Sequence, residues 1–245
     1  MTVHTAPPAP PTLVLASKSP ARTKLLEEAG IPHRVLVSAV DEEAVAARHP
    51  AASPAETALL LARAKAEAVA ALPAAAGTLV LGCDSVFELD GQALGKPYTP
   101  HVARERLAAM SGRAGVLHTG HWLVDRRAAP EAQHQDPAHD AAPAPGADAV
   151  ATGLVATGRV GSGLVASAGV EFTSMDAEEI AAYVATGEPL QCAGSFTIDG
   201  LGGAFLSRVD GDPHAVVGLS ISTLRALLAT AGVRLTDWWA AAVDR

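Results

Sequence analysis

Residues 12–26 read TLVLASKSPARTKLL, and this stretch sets the fold class. The apolar run at residues 12–16 predicts a short buried strand. Ser19 is a favourable N-cap residue and Pro20 fits the first helical position, so a helix is expected to begin there and to end at Gly30. A strand that leads directly into a helix is the unit from which α/β domains are built.

The same alternation continues along the chain. A capping box from Ser53 to Glu56 predicts a helix that runs to about Leu72. An apolar strand at residues 78–81 is expected to end in the sequence GCDS at residues 82–85, ahead of a hairpin with a type I′ turn at Asp90-Gly91. The other predicted strands lie around residues 33–37, 116–124, 164–173, 194–198 and 204–209, and the other predicted helices at 100–112, 176–187 and 222–231. The pattern predicts an α/β fold.

Composition excludes several classes of function. The chain has 245 residues, of which 49% are hydrophobic, and its net charge is −8. So acidic a chain lacks the positive charge that duplex DNA or an anionic membrane attracts, and 4% aromatic residues make a stacking platform for single-stranded nucleic acid a poor fit. No stretch approaches the roughly 18–20 apolar residues of a membrane span. Two cysteines and no basic N-terminal segment favour the cytoplasm.

Three segments are predicted to lie outside the packed domain at residues 12–233. Residues 1–11 are rich in Pro, Ala and Thr and are expected to form a flexible leader. Residues 126–162 are dominated by Ala, Pro, Gly, Asp and His, which indicates a low-complexity insert in a surface loop. Residues 234–245 are interpreted as a C-terminal tail.

The sequence SKSPAR at residues 17–22 is a candidate anion site. It places hydroxyls and cations where a strand meets a helix N-terminus. Free backbone N–H groups and the helix dipole favour an anion there, and phosphate is the natural candidate. The alternative is an ordinary helix cap.

Asp84 is a candidate catalytic carboxylate. The carboxyl end of a buried strand is where α/β sheets usually bind ligands. With Asp41 or Glu42 it could hold Mg²⁺ and activate water, whereas the simpler interpretation is a turn-forming Asp. Lys65, on an apolar helical stripe, and Lys96, before a proline, could together neutralise a polyphosphate, although each alone is an ordinary solvated lysine.

The glycine-rich stretch AGSFTIDGLGG at residues 193–203 is a further candidate. Its glycines permit close approach of the backbone to a ligand, and Asp199 adds a carboxylate that can only accept hydrogen bonds. A plain tight turn is the alternative.

Taken together and in order, these motifs resemble the Maf family of nucleoside triphosphate pyrophosphatases, also called septum-formation inhibitor proteins. The likeness runs from about residue 13 to residue 232, without the insert. The matching stretches are ASKSP at residues 16–20 with Arg22 and Leu25-Leu26, VDE at 40–42, RAKA at 63–66, GCDS at 82–85, GKP at 95–97, SGR at 111–113, HTG at 118–120, GEP at 187–189, AGSF at 193–196, GLG at 200–202 and VGL at 217–219.

The resemblance implies a fold and a reaction. Family members form one elongated α/β domain, with a mixed central sheet flanked by helices and two lobes around a cleft. They hydrolyse nucleoside triphosphates to the monophosphate and pyrophosphate with a divalent metal, Mg²⁺ or Mn²⁺, and are often homodimers. By this likeness Asp84 activates water or orders the metal, and Glu42 is a second metal-side carboxylate. Ser17, Ser19 and Arg22 would hold phosphates, and Lys65 and Lys96 would clamp the remainder.

The preferred base stays open. Asp199 stands where the dTTP/UTP branch usually has Gln and the 7-methyl-GTP branch usually has Glu. A carboxylate suits guanine, whose N1–H and N2 amino group donate together, so the sequence favours a guanine-type or modified base. Ser85 resembles the Thr of the pyrimidine branch and points the other way. Ala21 replaces the first of two arginines that many relatives have, which places more weight on Arg22.

A second function belongs to another class. The family's association with septation suggests a nucleotide-binding regulator of cell division that does not need turnover. The presence of Asp84, Glu42, Lys65 and Lys96 favours the enzyme.

Overall fold

A mixed β-sheet forms the centre of the molecule. The computed structural model describes residues 10–127, 154–156 and 159–243, in which eight strands pair in the order β2-β1-β3-β5-β7-β6, with β4 on β3 and β8 on β7. β1 is parallel to β2 and β3, whereas β3, β5 and β7 are antiparallel to one another. The strands are β1 (Leu13–Leu15), β2 (His33–Val35), β3 (Leu79–Leu89), β4 (Gln92–Leu94), β5 (Ala114–Asp125), β6 (Leu154–Ala156), β7 (Arg159–Phe172) and β8 (Leu206–Gly211). The predicted α/β class and mixed sheet are confirmed.

Helices cover both faces of this sheet, and their caps are those that the sequence predicts. Ser19, Ser53, Thr99 and Asp176 each accept a hydrogen bond from the first turn of the helix that follows. Such a cap satisfies a backbone N–H that the helix itself leaves without a partner. The helices are α1 (Pro20–Glu28), α2 (Glu42–Ala47), α3 (Pro54–Ala70), α4 (Pro100–Met110), α5 (Ala177–Ala185), α6 (Pro213–Val217), α7 (Ile221–Thr230) and α8 (Thr236–Val243).

Strand alternation divides the core around β1 between two faces. Leu13 and Leu15 join the cluster that contains side chains of α1, α7 and α8. Val14 and Ala16 face the other way and pack with α3. Because both faces are covered, β1 is apolar at every position, as expected of a fully buried strand.

The long antiparallel strands extend into a second lobe. There Phe87, Phe172 and Phe196 contact one another edge to face, with ring centroids 5.1–5.9 Å apart. Side chains of α4 and α5 complete this cluster. The cleft described below lies between this lobe and the one built on β1, so the predicted two-lobed arrangement is confirmed.

Two strand predictions are wrong near the candidate site. β3 does not end at residue 81 but continues to Leu89, so that Asp84 lies in the middle of a strand rather than at its carboxyl end. Residues 194–198 are not a strand, since residues Ala193–Ser195 form a 3₁₀ turn in which Gly194 and Ser195 both have positive φ, 70° and 65°.

The segments expected outside the domain also differ. β6 and the first residues of β7 fall within residues 126–162, and α8 falls within the expected tail. Trp238 of α8 packs in the core cluster that also contains α7 side chains, and it is only 2% exposed. Its indole N–H donates a hydrogen bond to the carbonyl of Pro11. Residues 1–9 of the leader and residues 128–153 and 157–158 of the insert lie outside the described residues. Among the described helices, none is long and apolar enough to cross a bilayer.

Candidate active site

One cleft of about 520 Å³ brings the sequence-predicted residues together. It lies where the loop from β1 to α1, the start of α2, the middle of β3 and residues 191–199 converge. Every predicted site residue lines it: Ser17, Ser19, Arg22, Glu42, Lys65, Asp84, Lys96 and Asp199.

Lys65 connects the two carboxylates of this cleft. Its ammonium lies 2.8 Å from Oε1 of Glu42 and donates a hydrogen bond to Oδ1 of Asp84. Lys65 and Asp84 are nearly buried, and Glu42 is partly exposed at the first position of α2. The expected role of Lys65 as a polyphosphate clamp is therefore secondary, since two of its three donors serve the carboxylates.

Close packing of α3 on β3 places Lys65 there. A Cβ at Gly82 would lie 2.2 Å from the carbonyl oxygen of Ala62 and 2.8 Å from the nitrogen of Ala66. Only glycine lets the helix backbone approach the strand so closely. Lys65 lies between these two contacts along α3, and Asp84 is two positions beyond Gly82 on the same face of β3.

The environments of the two carboxylates differ. Burial raises the pKa of Asp84 above its ordinary value, against the opposing charges of Lys65 and Arg22. Burial also acts to raise the pKa of Glu42, but the hydrogen bond and charge of Lys65 and the charge of Lys96 bring it below its ordinary value. Two carboxyl groups with diverging pKa values can divide the work of general-base and electrostatic catalysis.

Arg22 is held in place by hydrogen bonds within the protein. Its Nε donates to the carbonyl of Gly218 at 2.6 Å, and its Nη1 donates to the carbonyl of Cys83 at 2.9 Å and to Oγ of Ser17 at 3.0 Å. Its Nη2 donates to Oγ of Ser85 at 3.1 Å. Four of the five N–H groups of the guanidinium are thus used within the protein, which leaves one for a phosphate oxygen, and the phosphate-binding role of Arg22 stays a prediction.

Ser85 belongs to a directed chain of hydrogen bonds. Thr119 donates its only hydroxyl proton to the carbonyl of Ala215, at 2.7 Å. Ser85, 2.8 Å from Thr119, must therefore donate to it and accept from Arg22. Because its proton is committed to Thr119, Ser85 can meet a substrate only as an acceptor, and the likeness of Ser85 to the pyrimidine branch stays a prediction.

The remaining polar groups suit an anion. Oγ of Ser17 accepts from the backbone N–H of Ser19 and from Arg22, which leaves its own proton free to donate. Ser19 caps α1. Lys18 is exposed and Lys96 half-buried, both line the cleft, and neither forms an ion pair within the described residues. Lys18 belongs to the SKSPAR stretch that the sequence predicts as an anion site, although the family resemblance assigned it no role of its own.

Asp199 also lines the cleft, exposed and without a hydrogen-bond partner among the described residues. The glycines around it do not serve the ligand as predicted. A Cβ at Gly200 would come within 2.7 Å of Oε2 of Glu188, and one at Gly202 within 2.4 Å of the hydroxyl oxygen of Tyr183. Glycine is thus needed at these two positions because the loop packs closely against Glu188 and Tyr183.

A divalent metal fits the two carboxylates only together with a substrate. The described residues contain no cluster of three or more His, Cys, Asp or Glu side chains that could hold a metal ion. Glu42 and Asp84 each use one oxygen for Lys65, and the second oxygen of each has no hydrogen-bond partner in this part of the chain. Mg²⁺ commonly binds one or two carboxylates together with substrate phosphates and water, and these two oxygens match that donor set.

Comparison with known proteins gives a family match and several similar proteins. The family model described as Maf-like protein matches residues 12–142 and 146–231. The chain is 48% identical over 232 residues to a nucleoside triphosphate pyrophosphatase of Streptomyces coelicolor. These aligned residues cover 95% of this chain and 96% of that protein. It is 46% identical to the protein of the same name from Nocardia farcinica, over 93% and 96% of the two chains. It is 41% identical to the nucleoside triphosphate pyrophosphatase of Synechocystis, over 94% of this chain and 100% of that protein.

Proposed function

We propose that this chain, which belongs to the Maf family and is a nucleoside triphosphate pyrophosphatase, carries out its reaction in the cleft around Asp84. Water attacks the α-phosphorus of the nucleotide, and the bond from that phosphorus to the bridging oxygen breaks. The products are a nucleoside monophosphate and pyrophosphate. The observation that carries this proposal is the buried Lys65–Asp84 pair with Glu42 beside it, inside a cleft that is also lined by Lys18 and Lys96.

Asp84 is assigned to the attacking water. A general base works best when its pKa lies near the working pH, and burial moves the pKa of Asp84 in that direction. Lys65 fixes the orientation of this carboxylate through its hydrogen bond. The free carboxylate oxygens of Asp84 and Glu42 would hold Mg²⁺ or Mn²⁺, which when bound would polarise the phosphate oxygens.

The cations of the cleft are assigned to the triphosphate. Charge accumulates on the phosphate oxygens and on the leaving pyrophosphate, and positioned cations stabilise it. Lys96 and Lys18 form no ion pair among the described residues, so their ammonium groups can meet phosphate oxygens, and Ser17 contributes a hydroxyl. The net charge of −8 does not oppose this, because a local cluster can dominate the potential inside a cleft.

Asp199 is assigned to the base. It lines the same cleft and presents a carboxylate that only accepts hydrogen bonds. Such a group favours a base with adjacent donors, such as guanine or 7-methylguanine. Gln, which can both donate and accept, would suit a pyrimidine better.

The test is pyrophosphate release from a panel of substrates. The panel contains the common NTPs and dNTPs, 7-methyl-GTP, pseudouridine triphosphate and 5-methyl-UTP, each with Mg²⁺, Mn²⁺ or EDTA. D84N keeps the shape of the side chain and removes its charge, so we expect a loss on the order of 100-fold in kcat. Asp210, an exposed residue of β8, offers the control variant D210N, for which no loss is expected.

The outcomes separate the parts of the proposal. Full activity in D84N would refute the catalytic assignment, and a preference for UTP or dTTP would refute the assignment of Asp199 alone. Nucleotide binding that raises the melting temperature without any product would favour the non-catalytic regulator.

A further inference from the structure

We propose that Glu188 is a positioning residue for base selection, because its carboxylate fixes both ends of the short loop that presents Asp199 to the cleft. The inference rests on the proposed function, since it assumes that Asp199 meets the base. Glu188 does not itself line the cleft, so it would act through Asp199 rather than on the substrate.

Four donors converge on this one carboxylate. Oε1 accepts from the hydroxyls of Tyr183 at 2.9 Å and Thr197 at 2.5 Å, and from the backbone N–H of Gly202 at 2.9 Å. Oε2 accepts from the backbone N–H of Leu201 at 3.0 Å. Hydrogen bonds to a charged acceptor are stronger than those between neutral groups, so the carboxylate is a firm anchor.

The donors bracket Asp199. Thr197 precedes the segment Ile198-Asp199-Gly200, and Leu201 follows it, so both ends of three residues are tied to the same group. Asp199 itself has no partner among the described residues and is exposed. The orientation of its carboxylate therefore depends on the backbone, and Glu188 holds that backbone.

The direction of these hydrogen bonds is fixed by charge. Although burial acts to raise the pKa of Glu188, the hydrogen bonds from Thr197, Leu201 and Gly202 bring it below its ordinary value. Burial and the neighbouring Glu188 raise the pKa of Tyr183, so the phenol keeps its proton. At neutral pH the network thus has one acceptor and four donors.

The experiment compares a nucleotide with a substrate that lacks a base. Ribose 5-triphosphate has the same triphosphate and presents no base to Asp199. We would measure kcat and KM for it and for the nucleotide that the wild type hydrolyses best, in E188A, E188Q and Y183F. The selectivity ratio is kcat/KM for the nucleotide divided by kcat/KM for ribose 5-triphosphate.

We expect E188A to lower this ratio by roughly tenfold to a hundredfold, the range for losing a hydrogen bond to a charged group, mainly through the KM of the nucleotide. For ribose 5-triphosphate, kcat/KM should stay within about twofold of the wild type. E188Q should be intermediate, because an amide accepts through one atom only, and Y183F should change least, because three donors remain. If E188A does not fold, the order of E188Q and Y183F decides.

Two results would overturn the inference. One is an equal loss for both substrates, which would make Glu188 a general structural residue, and the other is an unchanged ratio. The double variant E188A/D199N should be no less selective than E188A, since both changes act through one carboxylate, and additive losses would likewise contradict it.

Failure of the proposed function would be recognised separately. If the wild type releases no pyrophosphate from any substrate, the same ratio is measured as binding of nucleoside monophosphates against ribose 5-phosphate by calorimetry. A loss of affinity in E188A confined to the nucleotides would still support the role of Glu188, and an equal loss or no loss would refute it.

Discussion

Lys65 on α3 donates a hydrogen bond to the carboxylate of Asp84 on β3, across the interface where helix and strand are closest. The same ammonium lies 2.8 Å from Glu42, at the start of a second helix. One cation thus keeps two carboxylates close together that would otherwise repel each other. The free oxygens of both carboxylates can then face the substrate together with a metal.

The first prediction concerns this ammonium. Replacing Lys65 by Met keeps most of the side-chain volume and removes the charge that stabilises both ionised carboxylates. The pKa values of Asp84 and Glu42 should then rise, because two like charges remain close together without a cation between them. The ionised base would form only at higher pH, so the acid limb of the pH–rate profile should move upward, and kcat/KM should fall on the order of 100-fold.

Lys24 provides the control for this variant. It is an exposed lysine of α1 that pairs only with Glu28, so K24M should keep the wild-type profile. An acid limb that stays in place in K65M would show that Lys65 does not set the ionisation of the carboxylates.

The second prediction separates two cations of the cleft. Arg22 uses four N–H groups to join the β1–α1 loop, β3 and the loop at Gly218, whereas Lys96 has no ion pair in the described part of the chain. R22K cannot reproduce a planar fork of donors, so the free energy of unfolding should fall by about 2–4 kcal/mol. K96M should leave it within about 0.5 kcal/mol and raise the KM for nucleotides.

Urea denaturation and steady-state kinetics on both variants check this contrast. If R22K were as stable as the wild type and only its KM rose, Arg22 would be a phosphate ligand after all. A large loss of stability in K96M would contradict the free-cation assignment.

The third prediction concerns the interface that carries the site. A Cβ in G82A would meet backbone atoms of Ala62 and Ala66, which cannot rotate away. Helix α3 would have to shift outward, at a cost of about 3 kcal/mol or more, and Lys65 would move with it. Loss of stability and loss of activity should therefore appear together, in denaturation and in pyrophosphate release.

Gly169 of β7 is the matched control. A Cβ there would have only ordinary contacts, 3.7 Å from Asp210, so G169A should be close to the wild type in both measurements. Full activity in a destabilised G82A would show that the position of Lys65 does not depend on this packing.

Local features of the fold could be predicted from the sequence, because they depend on residues three or four positions apart. The capping boxes at Ser53 and Asp176 are of this kind, and so is the turn at Asp90-Gly91, where both residues have positive φ. The full length of β3 could not be predicted in this way. Asp84 interrupts the apolar run of this strand, and its ionic partner, Lys65, lies on helix α3.

The candidate site was predicted as a set of residues but not as an arrangement. The motifs named Lys65, Arg22 and Asp199, yet their partners depend on contacts across the fold, such as the one from Arg22 to Gly218. Residues 194–198, in the loop after Glu188, were predicted as a strand. Three hydrogen bonds from this loop to the one carboxylate of Glu188 hold it, and no periodicity reveals them.

The last prediction concerns His121, a fully buried residue of β5. Its Nε2 accepts a hydrogen bond from the backbone N–H of Ser220 at 2.8 Å. Burial lowers the pKa of His121 from about 6.5 to about 4; the charge of Arg22 acts in the same direction, whereas hydrogen bonding with the backbone at Thr119 and the charge of Asp212 oppose it. The imidazole is therefore neutral in the folded protein at neutral pH.

The sign of the pH dependence follows from this shift. In the unfolded chain His121 binds a proton near pH 6.5, whereas in the folded protein it does so only near pH 4. Its contribution to stability is complete above pH 6.5 and is lost as the pH falls toward 4. Between pH 7 and pH 5 the free energy of unfolding should drop by about 2 kcal/mol on this account. H121Q keeps an acceptor for Ser220 and does not titrate, so urea denaturation across this range should show a drop smaller by that amount. Parallel curves for wild type and H121Q would mean that His121 titrates normally in the folded protein.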